Sequence, residues 1–257
     1  MITTEEFPPR VTERQIEESS LRAWPALSET DFDGWRLRFS NGYTRRANSI
    51  TPLDESRLDL HDKVATCERL YLERGLPPIF RLTPFAPNGL DTLLEQRGYR
   101  LGDRVDVLAR SLDAPVLRWR PAVKARVQTH SPNAWLKIFD SLSGIHSDEI
   151  RANHRQILEK VSGVRRLVAL SPQTKPSACG MSVLDGDQLG LFDLITAAAE
   201  RDKGHASELL FRTLAWGRRN GARLAYLQVL DRNVAAQRIY DRAQFRLVYR
   251  YHYREKS

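Results

Sequence analysis

An internal repeat is the feature that most limits how this chain can fold. A single offset of 146 residues separates Gly75 from Gly221, each ending a run of helical spacing, and Tyr99 from Phe245, each opening a strand-like run. In the first half, Leu60, Val64, Cys67, Leu70 and Tyr71 recur at helical spacing over 58–74. A strand at 79–82, a helix at 90–96 and a strand at 104–109 follow. The second half repeats the order with a helix at 204–219, a strand at 224–230, a helix at 233–242 and a strand at 245–251. A chain that carries one supersecondary order twice folds as two related units, and 257 residues hold two domains of ordinary size. Pro115 and Pro121 bracket the connecting stretch 111–121, which places the boundary near Leu117 and the domains at 1–117 and 118–257.

The remaining patterns fill in each half. Trp35 to Phe39 and Tyr43 to Ala47 alternate apolar and polar residues around Asn41-Gly42, which predicts a β-hairpin. Helices are expected at 133–142 and 147–161, the second capped by Ser147 with acids in its first turn. Strands are expected at 165–170, 178–184 and 188–196, the last two joined by Asp185-Gly186-Asp187. The fold class is α/β of the α+β kind, with two domains each built on a mixed, mostly antiparallel sheet flanked by helices.

Charge is unevenly spread. Residues 1–115 hold 16 Lys+Arg against 19 Asp+Glu, whereas residues 116–257 hold 24 against 13, so the formal +8 resolves into −3 and +11. The second half attracts anions. Its basic residues are scattered, without zinc-finger spacing or an RNA-binding aromatic signature, which argues against nucleic acid and leaves open a small polyanionic ligand or simply a well-solvated basic surface. No run approaches the ~20 apolar residues of a membrane span, the first residues lack the pattern of a signal peptide, and Cys67 and Cys179 form no metal or disulfide motif. A cytoplasmic protein with no metal and no membrane partner is expected.

The chemistry concentrates where the strand 188–196 feeds the helix at 204–219. Helix N-terminal amides lack internal partners and the macrodipole is positive there, so a strand running into Arg201-Asp-Lys-Gly-His-Ala206 makes an anion site. Gly204 and Ala206 remove bulk where a diphosphate must touch backbone, and Arg201 and Lys203 add positive charge. Further on, Asn233, Ala236 and Tyr240 share one helix face. They present an amide, a small residue and a phenol able to protonate a leaving thiolate. The plain alternative is a capping asparagine and a core tyrosine.

Residues 164–251 resemble the core of the GNAT superfamily of N-acetyltransferases, with Arg201-x-x-Gly204-x-Ala206 at its acetyl-coenzyme A motif and Asn233-x-x-Ala236-x-x-x-Tyr240 at its later cofactor helix. The resemblance implies that the backbone of Leu194, Ile195 and Thr196 pairs with the pantetheine arm. It also implies that Asp202, Lys203, Gly204, His205, Ala206 and Ser207 offer amides to the pyrophosphate, that Asn233 contacts the cofactor, and that Tyr240 protonates the coenzyme A thiolate. Ala198 stands where the family usually has Pro, and Gln244 where it usually has Gly. At the repeat offset, Tyr240 falls on Leu94, Asn233 on Pro87, Gly204 on Leu58 and Arg201 on Glu55, so the first half reads as a degenerate copy without the ligand-bearing residues.

The expected reaction is transfer of the acetyl group of acetyl-coenzyme A to a primary amine of a small molecule or peptide by direct attack. The alternative is a non-catalytic acyl-coenzyme A-binding protein. A base is needed to take the ammonium proton, and the sequence offers Asp231, His146, Asp148 and Glu149 without singling one out. Strand alternation sets Asp193 on the face opposite Phe192, Leu194 and Thr196.

Overall fold

A computed structural model describes residues 12–113 and 123–256. The boundary near Leu117 and most of the 111–121 linker lie outside the described residues. In chain order the elements are α1 (Glu13–Ala23), β1 (Ser28–Phe32), β2 (Trp35–Phe39), β3 (Ile50–Pro52), α2 (Leu60–Leu72), β4 (Ile79–Leu82), α3 (Leu90–Gln96) and β5 (Arg100–Ser111). They continue with β6 (Arg126–Thr129), α4 (Pro132–Ser143), α5 (Asp148–Lys160), β7 (Val164–Ser171), β8 (Ala178–Asp185), β9 (Gln188–Thr196), α6 (His205–Arg219), β10 (Leu224–Leu230), α7 (Val234–Arg242) and β11 (Arg246–Glu255).

Two compact units result, and they divide the chain differently from a cut at 117. One gathers Met1–Ala23 with Val107–Val248, the other Trp24–Asp106 with Tyr249–Ser257. The reason is in the ends of the chain. In the first unit α1 is tied down by Ser19 to the Tyr226 hydroxyl (3.1 Å), by Ser20 to Gln228 and by Arg22 to Asp185 (2.8 Å). In the second unit β11 pairs antiparallel with β4, Tyr253 opposite Arg81.

Each unit has the expected mixed sheet. In the first, β6-β7, β7-β8 and β8-β9 are antiparallel and β9-β10 is parallel. In the second, β1-β2, β2-β3 and β4-β11 are antiparallel and β3-β4 is parallel. These two parallel pairs fall at matching places in the repeat. Trp35, Phe80 and Tyr99 form edge-on aromatic contacts in the core of the second unit, while Leu189, Leu210, Leu214, Leu227 and Tyr240 share a core in the first.

The repeat holds down to single hydrogen bonds. After α2, Leu76 N donates to Tyr71 O (3.0 Å), and after α6, Ala222 N donates to Gly217 O (2.9 Å). After α3, Tyr99 N donates to Leu94 O, and after α7, Phe245 N donates to Tyr240 O, both at 2.9 Å. The left-handed residue in these last turns is Gly98 (φ 84°) in one copy and Gln244 (φ 63°) in the other. The turn after the Tyr240 helix therefore survives loss of its glycine, at the cost of a side chain in a conformation glycine adopts freely. Gln244→Gly is expected to stabilise the protein by about 1 kcal/mol, raising the melting temperature by about 2–4 °C; an unchanged or lower value counts against the strain.

One expectation is corrected. Tyr43 to Ala47 does not form the second strand of a hairpin. Trp35–Phe39 pairs instead with Ser28–Phe32 across an Asp33-Gly34 turn, and Arg45–Ala47 is a 3-10 turn. Asn48 causes the switch: its Oδ1 accepts from Ser40 N (2.6 Å) and Gly42 N, and its Nδ2 donates to Tyr43 O and Thr44 O, winding the segment into a loop. Ser147 does cap α5, accepting from Ile150 N.

Candidate active site

The site begins as a gap in the sheet. β9 and β10 pair from Gln188↔Leu224 to Leu191↔Leu227 and no further, although β9 runs on to Thr196 and β10 to Leu230. A β-bulge opens the gap. Cys179 pairs with Ile195 but Met181 with Phe192, so Gly180 of β8 spans two residues of β9, and Asp193 takes a left-handed conformation (φ 51°). Beyond it Leu194, Ile195 and Thr196 are half-buried, held by β8 on one side with no β10 partner on the other.

The bulge also overturns the expected alternation. Phe192 packs edge-on against Tyr226. Leu194, two residues on, packs with Leu209 of α6 near Gly180, so the two side chains face opposite sides of the sheet. Asp193 turns toward α5, where its Oδ2 stands 3.1 Å from His154 Nε2.

At the end of β9 the chain makes a 3-10 turn, Ala198–Glu200, then Asp202 (φ 61°) and Gly204 (φ 83°) in left-handed conformations, and enters α6. Ala198 in place of the usual Pro leaves that turn intact. Gly204 is the N-cap and no side chain caps the helix, so the amides at its start, among them His205, Ala206 and Ser207, are left for an external acceptor. Arg201, Asp202 and Lys203 are exposed at this mouth. Lys203 pairs with Glu200 (3.2 Å), whose carboxylate also lies 3.7 Å from the buried His205 Nδ1.

The matching helix start in the other unit is closed by its own side chains. Asp59 caps α2, accepting from His61 N and Asp62 N. Asp33 accepts from the amides of Arg57 (3.1 Å) and Leu58 (3.0 Å), from Ser56 Oγ (2.7 Å), and from Lys63. These donors, the Leu58 amide foremost, hold the Asp33 carboxyl well below the usual carboxylate range. Carboxylates thus occupy the positions an anion would take.

α7 follows β10 directly. Asn233 is exposed and caps it, accepting from Ala236 N (3.2 Å), which is the plain role weighed for it in the sequence. Ala236 and Tyr240 enter the same core as Leu189 and Leu227. The Tyr240 ring lies edge-on to Phe245 (5.9 Å, 64°) and is 8% exposed. Burial pushes its phenol up to about 12, so the proton stays on oxygen at neutral pH.

The base candidates separate. Asp231, His146, Asp148 and Glu149 are exposed, and Asp148 is bound to Arg151 (2.6 Å), which also pairs with Asp140. The Asp193–His154 pair was not legible as such, because nothing in the spacing of 148–160 sets His154 against β9. Its one signal is an acid inside an otherwise apolar strand. Among the described residues, no helix is long and apolar enough to cross a membrane.

Comparison with known proteins agrees with this architecture. A family model described as "Probable histone acetyltransferase Rv0428c C-terminal" matches residues 12–254. The uncharacterized N-acetyltransferase YobR of Bacillus subtilis is 28% identical over 95% of this chain and 98% of its own length. The probable histone acetyltransferase Rv0428c of Mycobacterium tuberculosis is 25% identical over 85% of this chain and 66% of its own. Among solved structures, a GCN5-related N-acetyltransferase from Kribbella flavida superposes with a TM-score of 0.68 at 15% identity, covering 95% of each chain. A tandem GNAT protein from the clavulanic acid biosynthesis pathway gives 0.67 at 11%, covering 86% of this chain and 78% of its own; at such identities these two speak for the fold alone. The chain belongs to the Rv0428c C-terminal family, and is an acetyltransferase built from tandem copies of the GNAT fold.

Proposed function

We propose that the protein transfers the acetyl group of acetyl-coenzyme A to a primary amine by direct attack, using the site between β9, β10, α6 and α7. The observation that carries this reading is the open edge of β9 past Leu191 leading straight to the uncapped start of α6. An extended amide-bearing arm fits the edge formed by Leu194, Ile195 and Thr196. A diphosphate fits the amides from Asp202 to Ser207, with Arg201 and Lys203 adding charge. Asn233 stays at the mouth and Ala236 leaves room beside it. Tyr240 holds the proton that the departing thiolate needs. The duplicated segments are 1–117 and 118–257, and the first is the degenerate copy, its anion position filled by Asp33 and Asp59.

The acceptor is an amine of a small molecule or peptide. The basic second half also suits an acidic acceptor. Cys67 and Cys179 are free and buried, as suits the reducing cytoplasm, where we place the reaction.

Calorimetric titration with acetyl-coenzyme A, followed by a turnover screen across amino acids, polyamines, aminoglycosides and peptides, tests the reading. Binding with thiol release on one class of amine supports it; binding without turnover on any amine makes the protein an acyl-coenzyme A-binding module instead. Gly204→Asp, which sets a carboxylate at the start of α6, is expected to weaken acetyl-coenzyme A binding about 30-fold, because a negative charge there opposes the diphosphate at the helix amides. Unchanged affinity removes the α6 terminus from the site.

A further inference from the structure

Asp193 and His154 form a pair that the roles above do not use. The bulge places Asp193 at the point where β9 parts from β10, immediately before the open edge. Its side chain is 19% exposed and, with Oδ2 buried on the His154 side, that exposure leaves the rest of the carboxyl to be reached. His154 is 2% exposed and cannot be reached. The imidazole is fixed edge-on to Trp135 (5.8 Å, 88°) and Phe139 (5.2 Å, 85°), and Trp135 is itself anchored by Nε1 donating to Val168 O (3.1 Å). A carboxylate set 3.1 Å from a rigid, buried imidazole at the lip of a cleft stands where a proton acceptor is needed.

The two faces of the sheet strengthen the assignment. Tyr240 belongs to the core shared with Leu194 and α6, whereas Asp193 turns to the α5 side. A thioester lying in the gap would meet a proton donor from one face and a proton acceptor from the other.

We propose that Asp193 takes the proton from the acceptor's ammonium, directly or through one water, and that His154 is the positioning residue that holds its carboxylate at the lip. The inference rests on the acetyl-transfer reading above. The ammonium gives one proton to Asp193. The freed nitrogen lone pair forms the C–N bond at the thioester carbon, the C–S bond breaks, and its electron pair leaves on sulfur. Tyr240 protonates that sulfur and is restored by the second N–H proton of the new amide, while Asp193 returns its proton to solvent.

Asp193→Asn is the informative variant, because Asn tolerates the left-handed conformation as well as Asp does and keeps the shape of the side chain. With the best acceptor from the amine screen, kcat is expected to fall about 10²-fold with little change in the KM for acetyl-coenzyme A. With hydrazine at high concentration near pH 9, where it is largely neutral, the variant is expected to lose less than tenfold. A merely structural role would depress both nucleophiles alike, and that result overturns the proposal. His154→Phe is expected to lower kcat about tenfold with coenzyme A affinity and melting temperature held, and His154→Gln to recover part of the loss. Equal rates for Asp193→Asn and wild type overturn the assignment alone, whereas wild type that turns over no nucleophile overturns the acetyl-transfer reading and this inference with it.

Discussion

Tyr240→Phe is expected to lower kcat about 10²-fold while coenzyme A affinity stays within twofold. The hydroxyl is the only group removed, and the ring keeps its place against Phe245, so packing and cofactor binding should survive. Burial holds the phenol near 12, which keeps it protonated across the neutral range, as the proposed proton donor to sulfur must be. The effect depends on the leaving group. A thioester of a more acidic thiol needs less help, so the loss should shrink with such a donor. Stopped-flow or steady-state kinetics with both thioesters checks this; a uniform loss would mark a packing defect, and no loss would take Tyr240 out of the reaction.

Lys63→Ala is expected to cost about 3 kcal/mol of stability. Lys63 is fully buried in the core of its unit, its ammonium 4.1 Å from the centre of the Trp35 ring. It donates to Ser56 Oγ (2.7 Å) and the Asp33 carboxylate (3.2 Å), with a further bond to the Asp33 carbonyl. Burial draws the ammonium below its ordinary value, and the Asp33 contacts oppose that shift. Removing one member leaves the carboxylate short of its counter-charge and a cavity under Trp35. Lys63→Met refills the volume and isolates the charge, so it should cost less than the alanine. Urea unfolding midpoints decide the matter, and equal midpoints for Lys63→Ala and wild type would sink the claim. The same cluster has a pH signature. Because the folded Asp33 is depressed, its stabilisation is present above the ordinary carboxylate value of ~3.9 and fades as pH falls through the lower folded one. The stability gap between wild type and Asp33→Asn should therefore narrow below about pH 4.

The two helix starts differ in what meets their amides. α6 begins with a left-handed glycine and bare amides; α2 begins with Asp59 as cap and has Asp33 on the neighbouring amides. Two carboxylates at the second position satisfy the same dipole and donors that a diphosphate would.

Local rules carried far here because the repeat doubles every signal. β4, α3, β9 and β10 stand where the patterns of 79–82, 90–96, 188–196 and 224–230 set them, since each is a short apolar element bounded by turn residues that act over a few bonds. Where local rules failed, a distant or side-chain-specific partner intervened. Asn48 bound backbone groups of Ser40, Gly42, Tyr43 and Thr44 and unmade a hairpin strand, and α1 is held by bonds to β10 and β8.

By itself the sequence determined that one order of elements occurs twice at a single offset, and that Asn233, Ala236 and Tyr240 share a helix face. Those are matters of period, offset and composition. Only the tertiary structure decided that the chain ends group with the unit they were not read into. It alone set the bulge at Asp193, which reverses the strand's alternation, parts β9 from β10 and sets a carboxylate against a buried imidazole. A bulge is one extra residue measured against a neighbouring strand, and no strand carries that count in its own sequence.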